Sequence, residues 1–480
     1  MYKKRIILFA IITRTLIIIL QFFSNLLIPD HDAGVFTYPR LSSNQSTYDV
    51  WVQTSLGGFL RWDAQYFMHI AKYGYTHENT LAFFPLYPLI VRIIASLTSY
   101  FITFLNEDSL LLISFIFVNI VVFTKASVEL YKLTAVVLNV DLAYKSAMLF
   151  CINPASIFFV APYTECLFSY LTFKSMLHCV FIFDKYNRKL NNYMKIIVPT
   201  SLSACIRSNG VLNIGFLIYF MVQDGIRNIT APKSLVMKLF TCFKNGILII
   251  CAIYLCLIPF VLTQYYFYQQ FCTDFQHNLP VFLIDFIHSN DYVFPGMRSY
   301  YNQSWCLDKI PLAYSYIQSH YWNVGFLKYF ECKQIPNFLL AAPIVLFLMY
   351  NNCKFFAMHK RYCLNLGIFN FNFSTSREKS KTVSTFKPKM FVFIVHETFL
   401  IIFCVFCIHV QVTTRMLCSA SPVLYWFAAY SFKYIKEHDS GIRNMFLFQK
   451  HDFTQRLILY YFIGYVVIGT VMFTNFLPWT

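Results

Sequence analysis

Long apolar runs, separated by short polar stretches, recur along the whole chain. The first run occupies residues 6–28, and later runs lie near 82–104, 390–410, 416–432 and 457–476. A run of about 20 apolar residues is long enough to cross a bilayer as a helix. The pattern predicts an all-α polytopic membrane protein, in which residues 1–480 form a single transmembrane domain of about nine to eleven spans.

One apolar run, residues 198–222, is interrupted in its middle by Arg207, Ser208, Asn209 and Gly210. Both flanks of this run look cytosolic, which a single complete span does not allow. Two half-length helices that enter the membrane and return satisfy the pattern, since broken helices are tolerated where they line a cavity. The number of spans between residues 125 and 222 stays open.

The charges of the loops predict how the helices are oriented. Lys3, Lys4 and Arg5 precede the first run, and residues 351–389 are rich in Lys and Arg with Glu378 as the only acid. Because basic loops stay in the cytosol, we expect a cytosolic N-terminus and a basic cytosolic loop at 351–389. Residues 29–80 then form the first lumenal loop, and the charge-balanced residues 271–333 form a large lumenal loop.

Composition agrees with the membrane class. The 480 residues are 58% hydrophobic and 13% charged, and the formal net charge is +17. Soluble proteins usually carry about 25% charged residues. The basic excess lies in loops between apolar runs, so we expect membrane lipids and no nucleic acid as partners.

Cys272, Cys306 and Cys332 share the large lumenal loop, where one disulfide is possible. Glycosylation sequons at Asn44 and Asn302 lie in predicted lumenal loops, whereas those at Asn228 and Asn372 do not.

The stretch "GGFLRWDAQYFMHIAKYGY", residues 57–75, predicts a short interfacial helix with two faces. Arg61, Gln65, His69 and Lys72 form a polar stripe at helical spacing, and aromatic residues form the opposite stripe. Asp63 lies within the aromatic face. A carboxylate in such a place is suited to act as a general base toward a hydroxyl group. The alternative is a structural pairing with an arginine such as Arg61 or Arg92.

Ionisable residues in membrane segments are costly and therefore functional candidates. Those near the predicted lumenal boundary are Asp63, Glu78, Arg92, Glu165, His409 and Arg415. A structural role is the alternative for some ionisable residues: Arg14 and Arg92 fit snorkelling or pairing within the bundle equally well. Glu165 follows a Pro-Tyr-Thr break and fits a helix cap equally well. The chain has no G-x-S-x-G, P-loop, G-x-G-x-x-G or H-E-x-x-H motif and no zinc-like spacing, so we expect no metal site.

Residues 57–92, including "LRWDAQYF", resemble the first lumenal loop and second helix of the GPI mannosyltransferase II family. Further similar segments are "APYTECLFSYLTF" (161–173), "RSNGVLNIGF" (207–216), residues 314–343 and "HVQVTTRMLCSASPVLYWF" (409–427). They occur in the family's order and cover nearly the whole chain. The resemblance implies a C-type glycosyltransferase helix bundle in the endoplasmic-reticulum membrane. It also implies transfer of the second, α-1,6-linked mannose to the glycosylphosphatidylinositol (GPI) precursor.

The resemblance also implies the chemistry of the site. The implied donor is dolichyl-phosphate mannose. Because this lipid is a substrate, no cofactor is expected. The family's Trp-Asp pair matches Trp62 and Asp63, so the resemblance makes Asp63 the catalytic base of an inverting transfer. We expect Arg207, Arg415 and His409 to stabilise the departing phosphate, and Trp322, Asn323 and Gln334 to contact sugar hydroxyls. Arg61, Glu78, Glu165, Asn209 and Gln411 complete the predicted substrate-binding set. The aromatic residues of "LAFFPLYPL" (81–89) fit either a groove for the isoprenoid tail or structural packing.

Three other functions remain open from the sequence. Another polyprenyl-phosphate-sugar transferase of the same fold would differ only in its acceptor. A lipid transporter would be expected to show paired broken helices in both halves, and the sequence offers one such pair. A non-catalytic assembly subunit would not need Asp63. A small membrane partner subunit is neither indicated nor excluded.

Overall fold

A computed structural model of the chain describes residues 2–40, 45–184, 190–230, 234–273, 279–295, 304–368, 386–432, 446 and 451–479. The regular structure in these residues is helical throughout. The helices are α1 (Tyr2–Leu27), α2 (Thr47–Leu56), α3 (Asp63–Tyr73), α4 (Leu86–Ser99), α5 (Glu107–Val137), α6 (Val140–Cys151), α7 (Glu165–Asp184), α8 (Leu190–Ala204), α9 (Ile214–Thr230), α10 (Leu235–Cys272), α11 (Val281–Ser289), α12 (Ala313–His320), α13 (Ile335–Met358), α14 (Lys360–Leu364), α15 (Phe391–Phe406), α16 (Thr413–Ala420), α17 (Val423–Ser431) and α18 (Phe453–Thr474). The all-α prediction is confirmed.

Seven helices of the described residues are long and apolar enough to cross a membrane, which makes the protein multi-pass. They are α1, α5, α7, α10, α13, α15 and α18. Two predicted spans are shorter in the structure: residues 82–104 contain the 14-residue α4, and 416–432 are divided between α16 and α17. Residues 198–222 are divided between α8 and α9, as the two predicted half-length helices. The predicted interruption at residues 207–210 is therefore present, as a 3-10 turn at Ser208–Asn213.

The centre of the bundle is α5, which packs against α6, α7 and α1, and α6 also packs against α1. Arg14, in the middle of α1, is fully buried there and donates hydrogen bonds to the Cys151 carbonyl and to the carbonyl and hydroxyl of Ser156. Its guanidinium also lies 4.0 Å from the centre of the Phe123 ring. A buried charge needs such partners, so Arg14 has a structural role within the bundle. Arg92 is exposed on α4.

The first loop contains α3, and its polar stripe faces protein where a flat interfacial helix was predicted. Gln65 is buried and donates to the Leu60 carbonyl, His69 is buried against Thr76, and Lys72 pairs with Asp108 at 2.7 Å. Those partners lie in the preceding turn, in the loop after α3 and on α5, which the spacing within α3 does not show. Gly74, with φ 78°, ends the helix in a conformation that favours glycine.

Residues 279–295 and 304–333 contain short helices that pack on the first loop. A disulfide joins Cys272, the last residue of α10, to Cys306, which is one of the pairings that the sequence left open. The neighbouring Trp305 donates its indole N–H to Glu78 at 2.7 Å, and the Tyr321 hydroxyl donates to the other oxygen of that carboxylate at 2.6 Å. The two predicted lumenal loops are therefore bonded to each other.

Candidate active site

Asp63 is the first residue of α3, where the helix dipole favours a negative charge. The preceding Trp62 has φ 54°, a strained conformation for a tryptophan of the kind that clusters at functional sites. One carboxylate oxygen, Oδ2, accepts a hydrogen bond from Arg415 Nη1 at 2.8 Å. Oδ1 has no partner among the described residues, and the side chain is 33% exposed. Asp63 is therefore held in place with one oxygen free.

Tyr163 fixes the backbone at this helix start. The Asp63 N–H donates to the Tyr163 hydroxyl at 3.1 Å, and that hydroxyl in turn donates to the Arg61 carbonyl at 3.4 Å. The Tyr163 ring is buried and lies beneath the guanidinium of Arg415, 5.5 Å from its centre. One tyrosine thus positions both members of the Asp63–Arg415 pair.

A second ion pair of the same kind joins Glu165 and Arg207. Glu165 is the first residue of α7 and is almost completely buried. Arg207 precedes the 3-10 turn between α8 and α9. Gly210 allows this turn to close, because a Cβ atom there would lie 2.2 Å from the Ser203 carbonyl oxygen. The helix interruption therefore serves to place Arg207 opposite Glu165.

The two ion pairs form one charged group. Glu165 lies within electrostatic range of Arg415, and Arg207 and Arg415 both act on Tyr314 of α12. Partial burial raises the pKa of Tyr314, although the Ser208 hydroxyl and both arginines oppose the shift. The starts of α3 and α7, the turn between α8 and α9, and the short helix α12 therefore meet around these charges.

Several buried polar atoms near these charges have no hydrogen-bond partner among the described residues. They are Glu165 Oε2, Asn209 Nδ2 and Arg415 Nε. Buried polar groups in native proteins are almost always paired with protein, water or ligand. Atoms of this kind, beside two carboxylates and two arginines, are suited to hold a polar, anionic substrate.

Comparison with known proteins decides which family has this site. Residues 3–480 match the family Mannosyltransferase (PIG-V). The chain belongs to the PIG-V mannosyltransferase family. It is 34% identical to the GPI alpha-1,6-mannosyltransferase 2 of Cricetulus griseus and 32% identical to that of Homo sapiens, with 100% of this chain and 99% of each relative aligned. The GPI mannosyltransferase 2 of Schizosaccharomyces pombe is 28% identical over 88% of this chain and 73% of the relative.

Among solved structures, an oligosaccharyltransferase from Archaeoglobus fulgidus aligns with 98% of this mannosyltransferase and 56% of its own chain. The TM-score is 0.45 and the sequence identity is 10%.

Arg61 and Trp62 of the mannosyltransferase both point away from the charged group. Arg61 donates to Asp30, Asn25 and the Thr474 carbonyl, so it does not pair with Asp63. The Trp62 ring lies 6.0 Å from that of Phe476 after the end of α18. Because Arg61 and Trp62 are adjacent to Asp63 in the sequence, a common site was expected. The backbone conformation at Trp62 instead directs their side chains away from that of Asp63.

Glu78 has a structural position in this mannosyltransferase, because both carboxylate oxygens are occupied by Trp305 and Tyr321. Trp322 is half-buried beside Tyr66 and Phe83, and its backbone bonds to His409, which also stacks on Tyr329 at 4.6 Å. These contacts place Trp322 and His409 together.

Three further predicted residues make no contact with the charged group. Gln334 accepts a hydrogen bond from Asn337 within its own helix start. Asn323 is exposed with φ 50°, and Gln411 is half-buried in the turn before α16. Their roles in substrate binding stay predictions. In "LAFFPLYPL", Phe84 and Tyr87 are buried in the protein, which favours packing for those two.

Sequence reasoning missed Tyr163 and Tyr314 as site residues. The Pro-Tyr-Thr break before Glu165 signals Tyr163, because a residue beside a helix start is well placed to bond a neighbouring backbone. Sequence reasoning also passed over the Asp-x-Asp stretch Asp30-His31-Asp32. Here Asp30 pairs with Arg61, while Asp32 accepts from the Gly34 N–H.

Proposed function

We propose that this chain transfers the second mannose, α-1,6-linked, from dolichyl-phosphate mannose to the GPI precursor on the lumenal side of the endoplasmic reticulum. Its membership of the PIG-V family and its full-length similarity to proteins named GPI alpha-1,6-mannosyltransferase 2 support this acceptor and linkage. The donor is a lipid-linked mannosyl phosphate, which suits a multi-pass protein with a charged group beside its helices.

Asp63 acts as the general base. The 6-hydroxyl oxygen of the first mannose attacks the anomeric carbon of the β-linked donor, and Oδ1 of Asp63 takes the hydroxyl proton. The bond from the anomeric carbon to the phosphate oxygen breaks, and dolichyl phosphate leaves with the electron pair. Attack from the face opposite the phosphate inverts the configuration and gives the α-linkage. The free Oδ1, fixed by the bond of Oδ2 to Arg415, is the observation that carries this assignment.

Arg415 and Arg207 stabilise the negative charge that grows on the departing phosphate. Both guanidiniums lie within electrostatic range of Tyr314, and both are already held by carboxylates, so little reorganisation is needed when the phosphate charge appears. His409 contributes a further donor: burial lowers its pKa, so it is neutral near pH 7 and donates as an uncharged imidazole.

Two features support the placement of Asp63 on the lumenal side. Lys3, Lys4 and Arg5 lie in the first turn of α1, which favours a cytosolic N-terminus and puts Asp63 across the membrane. The Cys272–Cys306 disulfide belongs to the segment bonded to the Asp63 loop, and disulfides persist in oxidising compartments.

Lipid analysis of cells that lack their own second mannosyltransferase tests this function. We expect such cells to accumulate a GPI precursor with one mannose, and expression of this chain to clear it and restore GPI-anchored proteins at the surface. The Asp63→Ala variant, expressed to the same level, serves as the inactive control. Persistence of the one-mannose lipid with the wild-type chain present would assign the enzyme to another acceptor.

A further inference from the structure

A polar cavity that is separate from the Asp63 site is lined by Arg61. Its volume is about 590 Å³, within the range of small-ligand sites. The polar side chains that line it are Asn25, Asp30, Arg40, Gln53 and Arg61. Two guanidiniums against one carboxylate leave an excess of positive charge, and the two amides offer both donors and acceptors. This set suits a phosphate attached to a polyol.

Apolar residues at the end of α1 line the same cavity. Leu26, Leu27 and Ile28 belong to its wall and are 59%, 75% and 39% exposed. The exposed apolar surface continues along α1 through Leu16 and Phe23. A cavity with a polar interior and an apolar rim that runs onto a membrane-spanning helix fits a lipid headgroup, whose acyl chains lie along α1.

The guanidinium of Arg61 is held in a position suited to bind an anion. Nε donates to the Thr474 carbonyl at 2.7 Å and Nη1 to the Gly57 carbonyl at 3.0 Å, so the guanidinium is fixed by backbone groups. Its carboxylate partner Asp30 is bound at 2.9 Å but is 48% exposed. Partly exposed ion pairs are weak, so a phosphate bound by two arginines competes with Asp30.

We propose that this cavity binds the phosphodiester and inositol of the acceptor lipid, an inference that rests on the function proposed above. Arg61 and Asp63 are separated by Trp62 alone, so their Cα atoms are at most about 7 Å apart. Their side chains diverge, toward Asp30 and toward Arg415. The sugar chain between inositol and the reacting hydroxyl therefore passes over the half-buried Trp62, whose indole N–H is unpartnered.

Mannose transfer by the purified full-length chain tests the cavity with two acceptors. One is the one-mannose GPI precursor, and the other is the same glycolipid with an uncharged linker in place of the phosphodiester. We expect Arg40→Gln to raise KM for the charged acceptor about tenfold, with kcat unchanged and no effect on the uncharged acceptor. Asp30→Asn is expected to lower KM for the charged acceptor. Arg92→Gln, which removes an exposed arginine outside the cavity, is the matched control.

Each outcome has a separate meaning. If Arg40→Gln behaves like Arg92→Gln, or affects both acceptors equally, the cavity assignment is overturned while the transfer activity stands. If the wild-type chain transfers mannose to neither acceptor, the proposed function itself fails. Adding phosphatidylinositol or phosphatidylglycerol to the assay separates the possible lipids: equal inhibition by both would make the cavity a general anionic-lipid site, and stronger inhibition by phosphatidylinositol supports the acceptor.

Discussion

At the scale of single residues, the site is built from two carboxylates that each begin a helix and each hold an arginine. Periodicity alone placed Asp63 on the aromatic face, because the spacing of a helix is local information. Its partner Arg415 is 352 positions away in the chain, and no local pattern links the two. Arg415 was expected to serve the phosphate, and the pairing with Asp63 gives it a second task.

Substitution of Arg415 tests that double task. Arg415→Gln removes the cation beside Asp63 and one donor to the phosphate, so we expect kcat to fall by about 10²- to 10³-fold. Arg415→Lys keeps the charge and is expected to recover part of the rate. The measurement is in vitro transfer at saturating donor and acceptor. Equal activity of the Gln and wild-type proteins would remove Arg415 from the mechanism.

At the scale of elements, breaks and short helices place the functional side chains. The sequence predicted the short α3 and the interruption at residues 207–210, because helix length and polar residues in an apolar run are visible locally. It did not predict that the polar stripe of α3 faces protein. That outcome depends on partners such as Asp108 on α5, which only the packing of distant helices supplies.

Burial of His69 in α3 predicts acid sensitivity of the first loop. Burial lowers the pKa of His69 to about 3, below the usual value of 6.5. The unfolded chain therefore binds a proton that the folded chain does not, so stability is full above pH 6.5 and falls as pH decreases toward 3. Between pH 7 and 5 we expect a loss of about 2 kcal/mol from this residue.

Thermal unfolding of the purified protein at the two pH values measures this loss. His69→Gln keeps a polar partner for Thr76 but does not titrate, so its unfolding temperature is expected to fall less between pH 7 and 5. His77, whose pKa burial also lowers, contributes in the same direction. An identical pH response in the variant would show that His69 does not carry the effect.

At the scale of the whole molecule, the membrane class followed from the length of the apolar runs. The number of spans did not, because helices such as α4, α8 and α9 are shorter than a complete crossing yet belong to the bundle. Loop charge predicts the orientation, and the bond between Glu78 and the 304–333 segment requires that both loops lie on the same face of the protein.

Native sequons provide a test of orientation. Asn302 and Asn372 lie outside the described residues, and Asn228 lies in α9. We expect Asn44 and Asn302 to be glycosylated and Asn228 and Asn372 to remain unmodified, because only the lumenal side has the glycosylation machinery. The readout is an endoglycosidase-sensitive mass that decreases in Asn44→Gln and in Asn302→Gln and disappears in the double variant. A mass shift that is lost in Asn372→Gln would place the basic loop in the lumen and invert the topology.

The most direct test of the central claim is the turnover of Asp63→Asn with purified donor and acceptor. Asparagine keeps the size of the side chain and its contact with Arg415 but cannot take up the hydroxyl proton. If Asp63 is the base, kcat falls by about 10³-fold, within the range of general-base effects, while KM for both substrates stays within about threefold. A kcat within about tenfold of the wild-type value would contradict the account.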